Sequence, residues 1–520
     1  MTRNNYITAL ILSTLCINQC MAQAQSDTPR LIVAITVDQL RSENIHAYSK
    51  LFVPSGFNKL FSEGRVYERT VNDFYPVDRA SAIATIATGA TPYYNGIPGT
   101  SWLDRSTLRP MFCTDDKKAK STSGHEVAST RNLLVSTVAD ELKVSTQGLS
   151  KVIGIAAEKD AAILSVGHAA DLAIWIDDRT GEWASATDNK SASNSWLLQF
   201  GHKQQLPKII SNAKWTSSVK HEYIYNGKSS NQETFSYSFN DKNRYSDYKR
   251  CPLANADITD LALHALDANH MGADDMADFL AITYYAGNFN DNNYLDNHLE
   301  VEDAYVRLDM QLSRLISTIE QKVGRERVLF VLTSTGYNYR DNAGYLQMGI
   351  PSGTFYINRT ANLLNMYLSA MYGQGQYVDG TYHNQIYINH QFVEQKHLSL
   401  SEVYKQSRDF LCQSDGVTNI HTKEQILASE NTDKVRNAYV PTLSGDIIVE
   451  IAPGWKLVNE NTDETMSSSD SFYAFPVIFY GSNVESGKFT ELVTTDCIAP
   501  TICKSIKIRA PNACKNLPLF

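Results

Sequence analysis

Short, almost uninterrupted apolar runs alternate with helical patterns along this chain, and this alternation constrains the fold more than any other feature. The first run, RLIVAITVDQL at 30–40, is typical of a strand buried on both faces of a parallel sheet. Comparable apolar runs occur at 152–158, 278–287, 327–336 and 476–481. Helical patterns lie between them, for example at 130–143 and 300–324. The alternation predicts an α/β fold with a doubly wound, mainly parallel sheet flanked by helices.

The length and the N-terminus define the predicted domain organisation. Residues 1–24 have the pattern of a signal peptide, because Arg3 precedes an apolar segment and the sequence AQA at 22–24 forms a small-x-small cleavage site. The remaining residues, 25–520, are predicted to form one large α/β domain. Two stretches without a core rhythm, at about 187–250 and 357–440, are predicted insertions, the second of them helical and irregular. A signal peptide implies export to the periplasm or the cell surface.

Six cysteines remain after removal of the signal peptide, and they are Cys113, Cys251, Cys412, Cys497, Cys503 and Cys514. An even number in an exported chain predicts disulfide bridges, with the last three best placed to include a local pair. Their spacing matches neither a zinc knuckle nor a CxxC redox motif. Cys20 raises the alternative of a lipoprotein, although Gln19 is a poor residue before a lipidated cysteine.

The net charge and the hydropathy exclude two classes of partner. The formal net charge is −9 at pH 7, whereas a general nucleic-acid binder needs a basic footprint. After the N-terminal segment the sequence has no run of 18 apolar residues, so we expect no transmembrane segment in the mature chain.

Two segments carry the candidate chemistry. Asp38 ends the first apolar run, and open α/β sheets bind ligands beyond the carboxyl ends of their strands. Asp38 is therefore a site candidate, with a helix cap or a turn residue as the alternative. The segment FYPVDRASAIATIATG at 74–89 enters a small-residue helix at about 80–88, like turns that bind phosphate at a helix N-terminus. Arg79 stands where such a turn would present a hydroxyl nucleophile.

The order of the motifs resembles the alkaline phosphatase superfamily. The turn is followed by NGIPG, EKDAAIL, GHAADLAIWIDDRTGEW, EVEDAYVRLD, VLFVLTSTG, FPVIFYG and VTTDCIAPTI. This succession, from about 30 to 510, is most similar to exported bacterial phosphatases and to type I phosphodiesterases or nucleotide pyrophosphatases. The resemblance implies an alkaline phosphatase-like fold with inserted cap segments. It also implies phosphoric ester hydrolysis at two zinc ions, held by six Asp and His side chains beside a Thr or Ser nucleophile.

Most positions that the resemblance marks as functional hold unsuitable residues in this chain. The nucleophile position is Arg79, whose guanidinium stays protonated and cannot attack phosphorus. Of the six metal-ligand positions only Asp38 is retained. The other five hold Asn288, Asn292, Thr335, Gly336 and Ala474. Thr100 replaces a phosphate-contacting Asn, whereas Lys159 retains a phosphate-contacting Lys and Ala161 replaces an Arg.

These substitutions predict that the chain holds neither zinc nor another cofactor. Gly336 and Ala474 have no donor atom in their side chains. Asn288 and Asn292 offer uncharged carbonyl oxygens, which suit hard cations better than zinc.

The leading functional prediction is a catalytically silent pseudophosphatase that acts as a binding or assembly module for a protein or glycan partner. Arg79 is then expected to fill the vacated site and to pair with Asp38 or Asp78, the alternative being that it points to solvent. Two Tyr-rich stretches, 220–239 and 375–392, have the composition of recognition surfaces or are ordinary packed loops.

Two other functions remain open from the sequence. An active metal-dependent phosphomonoesterase or phosphodiesterase would hold zinc at an atypical site formed by Asp38 and the two Asn positions, with Ser81 as the nearest hydroxyl. Alternatively, Lys159 and Arg79 would bind a phosphate-containing ligand without turnover.

Overall fold

The computed structural model describes most of the chain. The described residues are 28–116, 128–185, 195–218, 224–225, 228–229, 235–287, 289, 298–337, 349–430, 433–462, 464–467 and 474–520. The predicted signal peptide at 1–24 and two predicted ligand positions, Asn288 and Asn292, lie outside the described residues.

The strands that the structure describes are, in chain order, β1 (Leu31–Asp38), β2 (Arg65–Val71), β3 (Ser101–Asp104), β4 (Arg109–Phe112), β5 (Val152–Ala156), β6 (Leu172–Ile176), β7 (Trp183–Ser185), β8 (Lys214–Thr216), β9 (Ile224–Tyr225), β10 (Lys228–Ser229), β11 (Ser236–Ser238), β12 (Asp278–Tyr285), β13 (Val328–Ser334), β14 (Gly353–Tyr356), β15 (Val378–Tyr382), β16 (Gln385–Ile388), β17 (Val417–Thr422), β18 (Ile447–Ile451), β19 (Trp455–Asn459), β20 (Glu464–Ser467), β21 (Phe475–Gly481) and β22 (Gly487–Thr494).

The described α-helices are α1 (Ser42–Tyr48), α2 (Phe57–Glu63), α3 (Arg79–Thr88), α4 (Pro92–Asn95), α5 (Val138–Ser145), α6 (Lys159–Leu164), α7 (Ser195–Gln204), α8 (Leu206–Asn212), α9 (Arg244–Lys249), α10 (Pro252–Ala268), α11 (His298–Val323), α12 (Ile357–Tyr372), α13 (His390–Gln395), α14 (Leu400–Leu411), α15 (Lys423–Ala428), α16 (Lys434–Ala438) and α17 (Ile498–Ser505). None of these described helices combines the length and the apolar character that crossing a membrane requires.

Nine of the described strands form one central sheet, in the order β22-β2-β21-β13-β1-β12-β5-β6-β7. The five strands from β13 to β6 run parallel to one another. Strands β21 and β7 pair antiparallel with their neighbours. The predicted class, a mainly parallel sheet flanked by helices, is confirmed, and each apolar run in the sequence corresponds to a strand of this sheet.

Strand β1 shows why its apolar run lacks polar alternation. Leu31 and Val33 belong to one apolar core with residues of α10 and α11. Ile32, between them, belongs to a second core with residues of α3, α5, α6 and α17. Helices therefore cover both faces of the strand, which must then be apolar along its whole length. The run ends in Asp38, at the edge of the sheet where the strand leaves the core.

Residues 353–467, here called the cap, build a second folded region with its own apolar core. The cap contains a four-stranded sheet, β15-β16-β18-β17, and a three-stranded sheet, β14-β19-β20. Helices α12 and α14 pack against each other and against these strands. The insertion predicted at 357–440 lies within the cap, and this stretch includes strands β15–β17 instead of being only helical and irregular.

Several aromatic side chains of the two Tyr-rich stretches pack inside the protein. Tyr237 packs in a cluster with Trp215, which is 1% exposed. Three tyrosines of the second stretch are no more than 5% exposed, namely Tyr377, Tyr382 and Tyr387. The burial of these side chains favours the packed alternative over a recognition surface.

The cysteines do not form the predicted bridges. Each of the six has a free thiol, and Cys113, Cys251 and Cys503 are buried. Burial raises the pKa of the Cys503 thiol to about 12, so this side chain behaves as a small apolar group.

A buried ion pair joins the cap to the hairpin of β3 and β4. Asp446 is 0% exposed and accepts a hydrogen bond from Arg105 Nη1 at 3.0 Å. The other carboxylate oxygen lies 2.9 Å from His390 Nε2 and 3.1 Å from the Tyr404 hydroxyl. Burial would raise the pKa of Asp446, but His390 and Arg105 hold it below its usual range. The position of the cap therefore depends on a charge that Arg105 supplies from the β3–β4 hairpin, outside the cap.

Replacing this arginine tests that dependence. Arg105→Ala leaves Asp446 with a weaker set of donors, and we expect the free energy of unfolding to fall by about 2 kcal/mol. Urea denaturation measures the change. Arg109→Ala, which removes an exposed arginine from the same hairpin, is the matched control and should leave stability unchanged. Equal effects of the two substitutions would contradict the proposed role of the ion pair.

Candidate functional site

Helix α3 begins at Arg79 because the preceding residue, Asp78, caps it. The Asp78 carboxylate accepts the backbone N–H of Ser81 at 2.9 Å, and the Ser81 hydroxyl accepts the backbone N–H of Asp78 at 3.0 Å. This reciprocal pair is a capping box. The second Asp78 oxygen accepts the backbone N–H of Thr100. Ser81 is therefore a buried capping residue, and the expectation that its hydroxyl is a candidate nucleophile is wrong.

The Arg79 guanidinium lies over the carboxyl edge of the sheet and binds Asp160 in a bidentate manner. Arg79 Nε and Nη2 donate to the two Asp160 oxygens, each at 3.0 Å. Asp38 lies 3.8 Å from Nη1, and Glu158 lies 3.9 Å from Nη2. Only 20% of the arginine side chain is exposed. Arg79 thus pairs loosely with Asp38, as one prediction had it, while its main partner is Asp160.

Asp38 is held by hydroxyl groups that follow strand β13. The Thr335 hydroxyl donates to one carboxylate oxygen at 2.8 Å, and the Tyr337 hydroxyl donates to the other at 3.3 Å. Asp38 is 2% exposed, and this burial raises its pKa to about 6 although Arg79 and Thr335 lower it. Asp38 does not cap the next helix, which begins at Ser42.

Lys249 brings a second cation to this edge from the end of α9. It is 2% exposed, and its ammonium group lies 3.3 Å from Glu158 and 2.5 Å from Asp178. Burial would raise the pKa of Glu158, but Lys249 and Arg79 lower it to about 2. The acidic side chains at the edge of the sheet are therefore compensated by two cations from separate helices.

The space that a large side chain would need at position 336 is already filled. Gly336 has a φ of +71°, and a Cβ atom added there would lie 2.1 Å from the ring of Phe475 and 2.8 Å from the amide nitrogen of Asn72. The neighbouring Ala474 uses its carbonyl oxygen to accept the backbone N–H of Ser42 at 3.4 Å. A histidine at position 336 would require Phe475 to move.

The residues that the structure describes around Asp38 do not fit a zinc site. Thr335 and Tyr337 occupy the oxygens of Asp38, and the guanidinium of Arg79 supplies positive charge beside them. Within the described part of the chain, no group of three or more His, Cys, Asp or Glu side chains could hold a metal ion. Zinc needs nitrogen, sulfur or carboxylate ligands in near-tetrahedral geometry.

The predicted phosphate-contacting positions lie at the margin of this cluster. Thr100 packs at the start of α3 through its backbone bond to Asp78. Lys159 begins α6, directly before Asp160, and its ammonium group lies 6.0 Å from the ring centroid of Phe112. Two residues before Asn288, the backbone N–H of Ala286 donates to the Asp38 carbonyl at 3.0 Å.

An open cleft with a cavity volume of about 60 Å³ lies over this cluster. Its lining includes Asp38, Gln39, Arg79, Glu158, Lys249, Arg250, Tyr285 and Tyr337. The cleft has the place in the fold where α/β proteins bind ligands. Asp38 and Glu158 lie beside Arg79 and Lys249, and Arg250, the third cation of the lining, acts on the same Glu158.

Three residues of the cluster around Arg79 and Asp38 were not predicted from the sequence. Asp160 stands inside the EKDAAIL motif, so its position was visible although its pairing was not. Tyr337 follows the TSTG motif and was not considered. Lys249 lies in the predicted insertion at 187–250, where the sequence shows no periodic signal.

The comparison with known proteins places the chain in a family. The model of the type I phosphodiesterase / nucleotide pyrophosphatase family matches residues 32–472. The chain therefore belongs to this family and, with it, to the alkaline phosphatase superfamily.

Its relatives include phosphatases that match it over nearly their whole length. Alkaline phosphatase PafA of Elizabethkingia meningoseptica is 26% identical over 514 residues, which cover 94% of each chain. Alkaline phosphatase PhoV of Synechococcus elongatus is 26% identical over 506 residues, covering 93% of this chain and 91% of PhoV. A protein from Myroides odoratus named calcium-transporting ATPase is 28% identical over 524 residues, covering 96% of this chain and 95% of that protein.

Solved structures support the same fold. The crystal structure of wild-type PafA has a TM-score of 0.80 and 24% identity, covering 95% of this chain and 98% of that chain. An inactive variant of murine ectonucleotide pyrophosphatase / phosphodiesterase 5, in complex with AMP, has a TM-score of 0.53 and 10% identity, covering 92% and 95%.

Removing the Arg79 guanidinium should destabilise the protein. Arg79→Met leaves Asp160 and Asp38 buried without their cation, and we expect the free energy of unfolding to fall by about 3 kcal/mol at pH 8. Arg79→Lys keeps the charge but loses the bidentate hydrogen bonds, so its free energy of unfolding should fall by a smaller but measurable amount. Urea denaturation of the three proteins is the measurement. A fully stable Arg79→Met variant would show that the guanidinium faces solvent.

The raised pKa of Asp38 predicts a pH-dependent contribution to stability. The folded protein keeps the proton on Asp38 up to about pH 6, whereas the unfolded chain loses it near pH 3.8. Stability from this group is therefore largest below pH 3.8 and falls as the pH rises to 6, by about 3 kcal/mol in total. Asp38→Asn should remove this decrease, so that the variant gains stability over the wild type between pH 4 and 7. Parallel pH profiles from urea denaturation would contradict the assignment.

Proposed function

We propose that this protein is a catalytically silent pseudophosphatase of the alkaline phosphatase superfamily, exported through its N-terminal signal peptide and acting as a binding or assembly module. The observation that carries the proposal is the bidentate Arg79–Asp160 pair at the start of α3. An arginine at this point offers no nucleophile, and its guanidinium supplies positive charge beside Asp38, the one retained ligand position.

The alternative of an active metal-dependent phosphatase or phosphodiesterase finds little support among the described residues. The covalent route that the resemblance implies needs a hydroxyl nucleophile with a base or a metal beside it. Ser81 is enclosed in the capping box, and Thr335 donates its hydroxyl to Asp38. The remaining support for this alternative rests on Asn288 and Asn292, which lie outside the described residues.

The second alternative, phosphate binding without turnover, is disfavoured by the charge balance. Arg79 has three carboxylates within 4 Å, and Lys249 has two. An anion would have to displace these carboxylates to reach Arg79 or Lys249. Arg250, the third cation of the lining, acts on the same Glu158 carboxylate as Lys249. These pairings disfavour an anion clamp at Arg79.

Metal analysis together with activity assays tests the proposal directly. The mature chain, residues 25–520, is purified without chelator, its zinc content is measured by plasma mass spectrometry, and phosphomonoester and phosphodiester hydrolysis are assayed on the same sample. We expect less than one zinc ion per ten chains and no turnover above the buffer. PafA purified in the same way is the positive control for the hydrolysis assays.

Asp38→Ala distinguishes true turnover from contamination. About two zinc ions per chain, with hydrolysis that disappears in Asp38→Ala, would overturn the proposal in favour of the metal-dependent enzyme. Hydrolysis that persists unchanged in Asp38→Ala identifies a contaminating phosphatase and leaves the silent site in place.

A further inference from the structure

A second and larger cleft, here called the cap groove, lies on the cap far along the chain from the Arg79 cluster. Its lining residues come from α12, from β15 and the residue Gln376 before it, from β19 and the turn after it, and from the β3–β4 hairpin. The groove has a cavity volume of about 540 Å³ and opens to solvent. This volume is within the range found for small-molecule sites. The cap groove and the Arg79 cleft share no lining residue.

Side-chain amides dominate the lining of the cap groove. Five of its fourteen lining residues are asparagines: Asn358, Asn362, Asn365, Asn459 and Asn461. Three of them, at 358, 362 and 365, follow one another along one face of α12 at helical spacing. Gln376, Asp379, Thr381 and Thr462 are the other polar residues of the lining.

The charge of the lining selects against anions. The lining residues include no Lys, Arg or His, and Asp379 supplies the only formal charge among them. A phosphate, sulfate or uronate ligand would meet this carboxylate without any lining cation to compensate it. Amides each present two donors and an acceptor oxygen, which match neighbouring hydroxyl groups that both donate and accept.

Hydrogen bonds within the cap fix some of the side chains that line the groove. Asn365 is held by the backbone, because its Oδ1 accepts the N–H of Tyr377 at 2.7 Å and its Nδ2 donates to the Gly375 carbonyl at 3.2 Å. Asn459 Nδ2 donates to the Thr381 hydroxyl at 3.4 Å and so ties β19 to β15. Rigid walls lower the entropic cost of binding a ligand.

Two polar side chains remain available in these walls. Asn362 is exposed and Asp379 is half-buried. Neither side chain makes a hydrogen bond to another described residue. Leu108, which also lines the groove and is 44% exposed, offers apolar surface on which the C–H face of a sugar ring can pack.

We propose that the cap groove binds a neutral oligosaccharide, with Asn362 and Asp379 hydrogen-bonding its hydroxyl groups. A protein partner is a weaker fit, because protein interfaces centre on aromatic and apolar anchors and the groove lining has no aromatic residue. The proposal names a glycan as the partner of the binding module. It does not depend on the silence of the Arg79 site, since the two clefts have no residue in common.

Binding of defined oligosaccharides tests the proposal. The mature chain is titrated by calorimetry with neutral tetrasaccharides of glucose, mannose, xylose and galactose, and with tetragalacturonate as the acidic counterpart. We expect one neutral class to bind with an affinity that changes less than twofold between 50 and 500 mM NaCl, as an uncharged ligand requires. Tetragalacturonate should not bind.

Single substitutions then locate the site. Asn362→Ala and Asp379→Ala remove side chains that the fold does not use for hydrogen bonding, so both variants should fold, and thermal denaturation checks this. Each substitution should weaken the binding of the neutral ligand at least tenfold, which corresponds to the loss of one good hydrogen bond. Gln395→Ala, an exposed amide of the cap that does not line the groove, is the control and should bind like the wild type.

Three results would overturn the proposal. They are the absence of binding for every neutral sugar at 10 mM, binding that neither variant affects, and binding of the acidic sugar or of a protein in preference to a neutral glycan. Phosphatase activity in the wild-type protein would overturn the silent site but would not change any of these outcomes, so the two proposals fail independently.

Discussion

Three carboxylates meet at the edge of the central sheet, and Arg79 lies among them. Asp160 accepts two hydrogen bonds from the guanidinium, while Asp38 and Glu158 lie just beyond hydrogen-bonding distance of it. Buried carboxylates are costly unless cations compensate them, and removing one partner of such a set leaves the others uncompensated. Lys249 supplies the second cation from α9. The loops after β1, β5 and β13 converge here, so their arrangement depends on this balance of charge. The Arg79 guanidinium therefore holds acidic loops together through its positive charge.

The framework around this edge is that of an enzyme family, and it does not need the chemistry in order to fold. Strand β1 is buried on both faces, the parallel strands beside it are equally apolar, and helix α3 is fixed by its own capping box. These features explain how the chain keeps the fold of PafA, at a TM-score of 0.80, around a different set of residues at the edge of the sheet. A fold defines where a site can lie, whereas the residues at that place decide what it does.

The central sheet and two residues of the site, Asp38 and Arg79, could be predicted from the sequence. Contacts between residues that are distant in the chain could not. Apolar runs marked β1, β5, β12, β13 and β21 because doubly buried strands have a direct sequence signal. Asp38 and Arg79 were recognisable from their positions at the end of a strand and the start of a helix. The partnership of Arg79 with Asp160 spans 81 residues and depends on how α6 packs, which no local pattern reveals. The capping box of Asp78 and Ser81 was readable as an Asp-x-x-Ser spacing and was overlooked. The cap strands were missed because Tyr, Asn and Gly interrupt their alternation, and even cysteine number predicted bridges that the packing does not form.

The close approach of Gly336 and Phe475 couples two positions that lie far apart in the chain. A glycine with a left-handed backbone lies against an aromatic ring that takes up the volume of any larger side chain. A larger residue at position 336 would be harmful unless Phe475 became smaller, and a smaller residue at 475 alone would leave a cavity in the core of β21. A change at either position alone therefore gives a less stable protein, so the two residues can be replaced at low cost only together.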